Sequence, residues 1–394
     1  MAALKRTLDG RPTIVVAATI AVLGAIGTAI GLAIEPRRGF AAYLAAWCTV
    51  AFVAIGGYVV LLIGYAANAR WPAAVRRLGE AAAASLPVLA LLFVPMLVAM
   101  SRVWPWVSPS PEHAHAVAVK AAYLSPAFFT LRALGYFALL IVPAELLRRW
   151  SRRRDAAPEP QAPPGVDRLD RERGLAAAIL PVTGLVLTFA AFDWLMSLQP
   201  DWWSSAFGFY VITGAMQAGL AATAVLAWLG VATGAMPLAP PHFRAIGRLL
   251  HAFTILWAYI AYFQAMLIQI ANLPREVTFY IARLGDGWQI ITIALAIARF
   301  VVPFVLLFSR RLKQRAGYIA GIAFVILFGQ YLDMWWLVVP RVARAPVPSW
   351  TDLCALAAIG GAAVAVAAWR TRGASLLPIG DPYLDAAMAY ESKY

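Results

Sequence analysis

The sequence predicts an all-α polytopic membrane protein, and three observations carry that expectation. Hydrophobic residues make up 62% of the 394 and charged residues only 13%, a composition outside the soluble globular range. Mean hydropathy is +0.73. Apolar windows long enough for a helix to cross a hydrocarbon core of about 30 Å recur along the whole chain.

Those windows fall at Thr13–Ile34, Ala41–Ala66, Ala81–Met100, Ala127–Leu147, Gly174–Leu198, Ser204–Val231, Ala245–Asn272, Gly287–Ser309, Ala316–Val339 and Trp350–Trp369, which predicts ten transmembrane helices in a single membrane domain. The first apolar run is too long for a signal-peptide core, and no small-residue cleavage site followed by a soluble domain comes after it. Cys48 and Cys354 both fall inside predicted helices, so neither a disulfide framework nor a thiolate metal site is expected. No repeat of solenoid period is visible.

The formal charge of +14 is explained by its distribution. Lys and Arg crowd the amino terminus, the connections after the second, fourth, sixth and eighth windows, and the carboxy terminus, whereas the opposite connections carry two apiece at most. That asymmetry places both termini in the cytoplasm and points to membrane lipids, not nucleic acid, as the partner of the basic clusters.

Taken in order, the first two helices carry small residues (Gly24, Gly27, Gly31; Gly56, Gly57) that allow close helix approach. The third contains Pro87 and Pro95 and is expected to kink. The loop after it holds His113 and His115; with only Glu112 nearby they lack a full ligand set, so a solvated loop is expected and no metal. Arg132 lies about two turns into the fourth helix, where it either snorkels to the interface or meets an acidic partner. Residues 148–173 read as a linker, Arg-rich at both ends and Pro-stiffened between, whose arginines set topology and contact anionic lipids.

The most informative stretch runs from Leu187 to Ala218. It places Asp193 in an apolar helix just before the turn Gln199-Pro200-Asp201-Trp202-Trp203. Pro stops a helix and Trp prefers the headgroup level, so this turn marks an interface. An intramembrane acid is costly and is by default a functional-site candidate. A second acid, Asp333, stands in the ninth helix before Met334-Trp335-Trp336. Arg299 in the eighth helix requires a carboxylate or carbonyl partner. The seventh helix carries Tyr259, Tyr262, Gln264, Gln269 and Asn272, which serve either as interhelical hydrogen-bond groups or as ligand contacts.

Topology fixes depth. Asp193 lies six residues before Gln199 and Asp333 six before Val339, so both carboxylates are expected about 9 Å below the outer boundary, at 1.5 Å rise per residue. Arg132, six residues beyond Pro126 on a helix running inward, reaches the same level, and Gln264 and Gln269 bracket it. Polar groups at one depth on four helices define a candidate site open toward the outer face, with Asp193, Asp333 and Arg132 for proton transfer. The competing reading is a static Asp–Arg network that fixes packing. A bis-His haem is not expected, because only His251 lies within a predicted helix.

The stretches FDWLMSLQPDWWSSAFGFY, WAYIAYFQAMLIQIANLPRE, RFVVPFVLLFSRRLK and YLDMWWLVVP, with the tail IGDPYLDAAMAYES, resemble the smaller of the two polysulfide-reductase-type (NrfD-type) membrane subunits of bacterial alternative complex III. The likeness covers most of residues 174–392 and is weaker before them. It implies two four-helix bundles, formed by helices two to five (41–198) and six to nine (204–339), flanked by the first helix (13–34) and the last (350–370), with a cytoplasmic tail (371–394).

The resemblance also implies a role in a respiratory quinol:cytochrome c (electron acceptor) oxidoreductase of the bacterial inner membrane. Quinone or menaquinone would be the substrate, in the vicinity of Gln264, Gln269, Tyr262 and Trp194, and no cofactor would be covalently bound. Haem and iron–sulfur clusters would sit in partner subunits: an iron–sulfur subunit, multihaem and monohaem cytochrome c subunits, and the homologous larger NrfD-type subunit. Two departures stand out. Gln199-Pro200-Asp201-Trp202 replaces the family's common Glu-Pro-His-Trp, and Ala298-Arg299 stands where a Gly-His pair often precedes Phe-Val-x-Pro-Phe. The alternative is a membrane scaffold that anchors redox subunits without quinone turnover; a solute transporter fits less well, because no broken-helix pair in matching halves is evident.

The tail after Arg372 is expected to break at Gly380-Asp381-Pro382 and form a short helix capped by Asp381. Its apolar side would dock on the protein's own loops or on a neighbouring subunit.

Overall fold

The structure is a computed structural model and describes residues 10–156 and 169–391. Among the described residues ten helices are long and apolar enough to cross a membrane: α1 Arg11–Ile34, α2 Pro36–Ala66, α3 Trp71–Val98, α4 Pro126–Ala156, α5 Asp170–Leu198, α6 Phe207–Ala232, α7 Pro240–Ala271, α8 Trp288–Leu306, α9 Ala316–Arg341 and α10 Trp350–Thr371. Among the described residues there is no strand. The protein is an all-α, multi-pass membrane protein.

Several helices are longer than their apolar windows. α2 and α7 begin on Pro36 and Pro240, because a first-turn Pro lacks only a donor that has no partner there anyway. α4 runs on through the arginines to Ala156, so the first part of the predicted linker is helix; residues 157–168 lie outside the described residues. Arg propensity favours this continuation, and no Pro interrupts it before Pro158. α3 breaks as expected: after an opening 3-10 turn it divides into Arg76–Ala84, Leu86–Leu91 and Val94–Val98, with a further turn at Met100–Val103 beyond it, since Pro87 and Pro95 cannot donate to the carbonyls four residues back.

Helices α2 to α5 close into one ring, each packing on the next and α5 returning to α2; helices α6 to α9 close into a second ring in the same order. α2 and α6 form the main seam between the rings, joined by contacts of α2 with α9 and of α5 with α6. The seam is tight because Gly56 and Gly219 face each other: a Cβ on Gly56 would overlap the Ala215 carbonyl, and one on Gly219 would overlap the Gly56 backbone. In a bilayer helices gain no hydrophobic drive toward one another, so such close backbone packing carries the association. α10 lies against α2 and α3, and α1 packs chiefly on α10. Arg38 at the start of α2 pairs with Asp352 at the start of α10, where Asp352 Oδ2 also accepts from Ser349 N at 2.8 Å.

Two loops cover the Trp-rich end. Residues 99–125 fold over α4 and α5, with Trp104 and Trp106 buried against Phe129. A short helix, Pro274–Leu284, follows α7, whose end is set by Asn272 in the left-handed region at φ 46°. Its Phe279 stacks on Trp202 at 4.1 Å between ring centroids.

The tail docks on the chain itself. The helix Leu384–Met388 buries Leu384 and Ala387, and Asp381 both accepts from Tyr383 N at 3.0 Å and pairs with buried Arg76. His242 Nε2 meets the Ala387 carbonyl at 2.8 Å. Because α7 starts at Pro240, His242 is helical, contrary to the expectation that His251 is the only helical histidine.

Candidate functional site: two buried carboxylate–guanidinium sets

Toward the Trp-rich end, each ring of four helices pairs a buried acid on its last helix with an arginine on the helix before; at the opposite end of the first ring, buried Glu172 of α5 pairs with Arg154 of α4. In the first ring, the α5 helix carries Asp193 to within one turn of its end, where Leu195 onward tightens into a 3-10 turn before Pro200. Arg132 of α4 grips it in a fork, Nε to Oδ2 at 2.8 Å and Nη2 to Oδ1 at 2.8 Å. Tyr136, one turn further along α4, donates to Oδ2 at 2.8 Å. The remaining Arg132 nitrogen Nη1 donates to the Tyr123 carbonyl at 2.9 Å, and the guanidinium lies 3.8 Å from the Tyr123 ring centroid. A planar fork, two hydrogen bonds and an aromatic face together make this a fully bonded charge pair.

In the second ring, Arg299 of α8 donates from Nη1 to Asp333 Oδ2 at 2.5 Å, and Tyr210 of α6 donates to Oδ1. Arg299 Nη2 donates to the Gly214 carbonyl at 3.0 Å and to Gln217 Oε1 at 2.8 Å, and Trp257 covers the guanidinium at 4.5 Å. Local sequence explains the geometry. Pro303 has no N–H for the carbonyl of Arg299 four residues earlier, so α8 widens into a π turn over Ile297–Val301. The freed carbonyl accepts instead from Gln217 Nε2 at 2.9 Å. Gly329 of α9 makes room for the side chain: a Cβ there would lie 2.6 Å from Arg299 Cγ. Arg299 is 0% exposed and Asp333 1%.

The single constellation expected at one depth therefore divides into two. Arg132 serves Asp193, and Asp333 has its own arginine, with the carboxylate and carbonyl partners that Arg299 required. Tyr262 and Gln269 join neither acid. Both are exposed on the outward side of α7, Tyr262 at 68%, because α7 packs inward through Trp257, Gln264 and Ile268 instead. Gln264 is buried and lies 3.3 Å from both Ser204 Oγ and Tyr280 Oη. Trp194 is wholly buried among Trp47, Phe93 and Phe137, a core position with no free face for a ligand.

Four residues that complete the sets were not singled out from sequence: Tyr136, Tyr210, Gln217 and Gly329. A signal existed for three of them. Tyr136 follows Arg132 by four residues, and Tyr210, Gly214 and Gln217 recur at helical spacing, so each group shares a face. Gly329 carries no such signal, because its role depends on where α8 lies.

The Trp-rich turn is tied down by charge. Lys120 Nζ donates to the Pro200 carbonyl at 2.6 Å; burial pushes its ammonium pKa down, opposed by the Asp201 carboxylate. His113 Nδ1 lies against the Asp201 carboxylate, so the loop histidine contacts the acid of the Trp-rich turn. No group of three or more His, Cys, Asp or Glu that could hold a metal occurs among the described residues. Arg283 caps the end of α9, donating to the Trp336 carbonyl at 3.1 Å and the Leu337 carbonyl at 3.0 Å. Burial pushes the pKa of its guanidinium down, opposed by Tyr280 and Tyr210. Between this arginine, Gln199, Trp202 and Leu198 lies a cavity of about 10 Å³, the room of about one water.

What the arrangement can do follows from its groups. A carboxylate that accepts from a tyrosine hydroxyl has a proton donor in direct reach, and the neighbouring guanidinium holds the charge that remains when a proton leaves. In comparison with known proteins, the chain matches no protein-family model and no curated protein.

Proposed function

We propose that the chain is an integral membrane subunit of a respiratory quinol:electron-acceptor oxidoreductase in the bacterial inner membrane, with its Arg-rich end and both termini in the cytoplasm, and that it moves protons through Asp193 and Asp333. The observation that carries this reading is the duplicated Asp–Arg–Tyr set, one in each four-helix ring: acid and arginine stand on corresponding helices, while the tyrosine comes from the arginine's own helix α4 in the first ring and from α6 in the second. Two buried, ionisable sets placed alike are costly to keep in a membrane, and intramembrane acids of this kind mark proton or substrate routes. Quinol oxidation releases protons, so a carboxylate with a hydroxyl partner supplies the acceptor that the chemistry needs. The resemblance of the segments around Asp193, Arg299 and Asp333 to alternative complex III subunits supplies the redox context. In that context quinone or menaquinone is the substrate, and the haem and iron–sulfur partners are separate chains.

A second reading has its own support. Both acids are fully bonded, and the cavity beside the Asp193 turn has about 10 Å³, far below the several hundred Å³ of a ligand pocket. These favour a membrane scaffold that holds redox subunits, with quinone bound elsewhere in the assembly.

Purification from native membrane separates the readings. Co-purification of cytochrome c and iron–sulfur subunits is expected under both. Loss of proton release on Asp193→Asn in the assembled complex is expected only under the first. A chain that purifies without redox partners overturns both.

A further inference from the structure

We propose that the crevice between the ends of α4 and α10 binds the phosphate-bearing headgroup of an anionic phospholipid. The crevice is about 510 Å³ and is lined by Arg148, Arg152, Trp369, Arg370, Arg372 and Gly373. Four arginines, two from α4, one from α10 and Arg372 just past its end, thus line one space.

Their charge is poorly met by the protein. Glu145 is shared: Arg148 Nη2 donates to it at 2.5 Å, Arg149 Nε at 3.0 Å and Arg370 Nη2 at 2.6 Å. Arg152 donates to the Arg370 carbonyl, a neutral acceptor. The Arg372 guanidinium is exposed and has no hydrogen bond or ion pair among the described residues. Glu145 is the one carboxylate bonded to any of the four, and Glu80, the other acid near Arg152, is already paired with Arg77; the site stays positive, and guanidinium forks match phosphate oxygens in shape and charge.

Depth selects the ligand. α4 has 31 residues, about 46 Å at 1.5 Å per residue, which exceeds a hydrocarbon core of about 30 Å. Its last turns therefore stand in the headgroup layer. Trp369, 64% exposed beside the arginines, marks the same level. Gly373, which lines the crevice, has φ 73°, and a Cβ there would meet nothing within 4 Å. A lipid phosphate would sit between the arginines with its chains along the apolar flank of α10, where Val364 is exposed.

This inference needs no quinol chemistry, and its test is independent of it. The full chain, purified from its native membrane with any subunits that accompany it, is stripped of lipid and titrated in native mass spectrometry. The probes are phosphatidylglycerol, phosphatidylcholine and inorganic phosphate. Preferential retention of phosphatidylglycerol is expected. Arg372→Gln should weaken it about five-fold and Arg152→Gln with Arg372→Gln about thirty-fold, from roughly 1 kcal/mol per arginine near an anionic headgroup. Neither residue is bonded to Glu145, and the double variant gives up only the Arg152 bond to the Arg370 carbonyl, so the thermal midpoint should fall by no more than about 4 °C, which reports that the variants are folded. Equal retention of phosphatidylcholine, an unweakened double variant, or displacement of the lipid by millimolar inorganic phosphate would each overturn the lipid assignment.

Discussion

Arg299 and Asp333 form a wholly buried ion pair, Nη1 to Oδ2 at 2.5 Å, whose remaining hydrogen-bond capacity is taken up by Tyr210, Gln217 and Gly214. Two charges withdrawn from water are stable only when every donor and acceptor is met, and removing one partner leaves the other uncompensated.

Arg299→Met alone is therefore expected to destabilise the protein by about 3–5 kcal/mol, and the double change Arg299→Met with Asp333→Leu to recover most of that loss. A double-mutant cycle in reversible detergent unfolding measures it. Additive effects of the two changes would show that the pair is not coupled.

Gly56 and Gly219 set the distance between the two rings, since neither tolerates a Cβ at the observed backbone approach. Gly56→Val or Gly219→Val should cost about 1–3 kcal/mol or more through overpacking. Gly135→Ala and Gly321→Ala, where a Cβ meets nothing within 4 Å, should be neutral or stabilising. Thermal midpoints of the four purified variants rank them.

Asp193→Asn keeps the side-chain shape but cannot carry a proton. If Asp193 is a proton acceptor, proton release coupled to quinol oxidation falls at least ten-fold while subunit assembly is retained. Measuring both on the purified complex decides the matter: normal turnover and proton release in an assembled variant favour the scaffold.

Asp381→Ala leaves Arg76 buried without its carboxylate, at an expected cost of about 3–5 kcal/mol. Deleting residues 381–394 additionally removes the Ala387 carbonyl from His242. Limited proteolysis should then cut near Arg76 and Arg77 at rates at least ten-fold higher; unchanged rates would mean the tail contributes nothing to that end of the protein.

Topology has its own check. With the arginine-rich end in the cytoplasm, protease added outside intact cells leaves residues 148–173 uncut and reaches the 108–112 loop. Cleavage in the first segment would invert the assignment and move both acids toward the inner face.

What could be read from the sequence alone follows from properties that act over short range. Helix number and approximate position come from runs of apolar residues, because any spanning segment must satisfy its own backbone in hydrocarbon. The kink of α3 comes from Pro87 and Pro95, and the importance of Asp193, Asp333 and Arg299 from the cost of charge in a bilayer. Pairing is a different matter. Arg132 and Asp193 are separated by 61 positions and Arg299 and Asp333 by 34, and equal depth along parallel axes does not say which helices touch.

Only the closure of α2–α5 and α6–α9 into separate rings gave each acid its own arginine, turned Tyr262 and Gln269 outward, and sealed Trp194 in an aromatic core. The same closure made visible an order of charged groups that no residue-by-residue repeat announces, since the two rings share positions and chemistry and not sequence. The physical reason is that depth is set by each helix singly, through the apolar length on either side of a residue, whereas the direction of a side chain around its helix has meaning only once the neighbouring helices are in place.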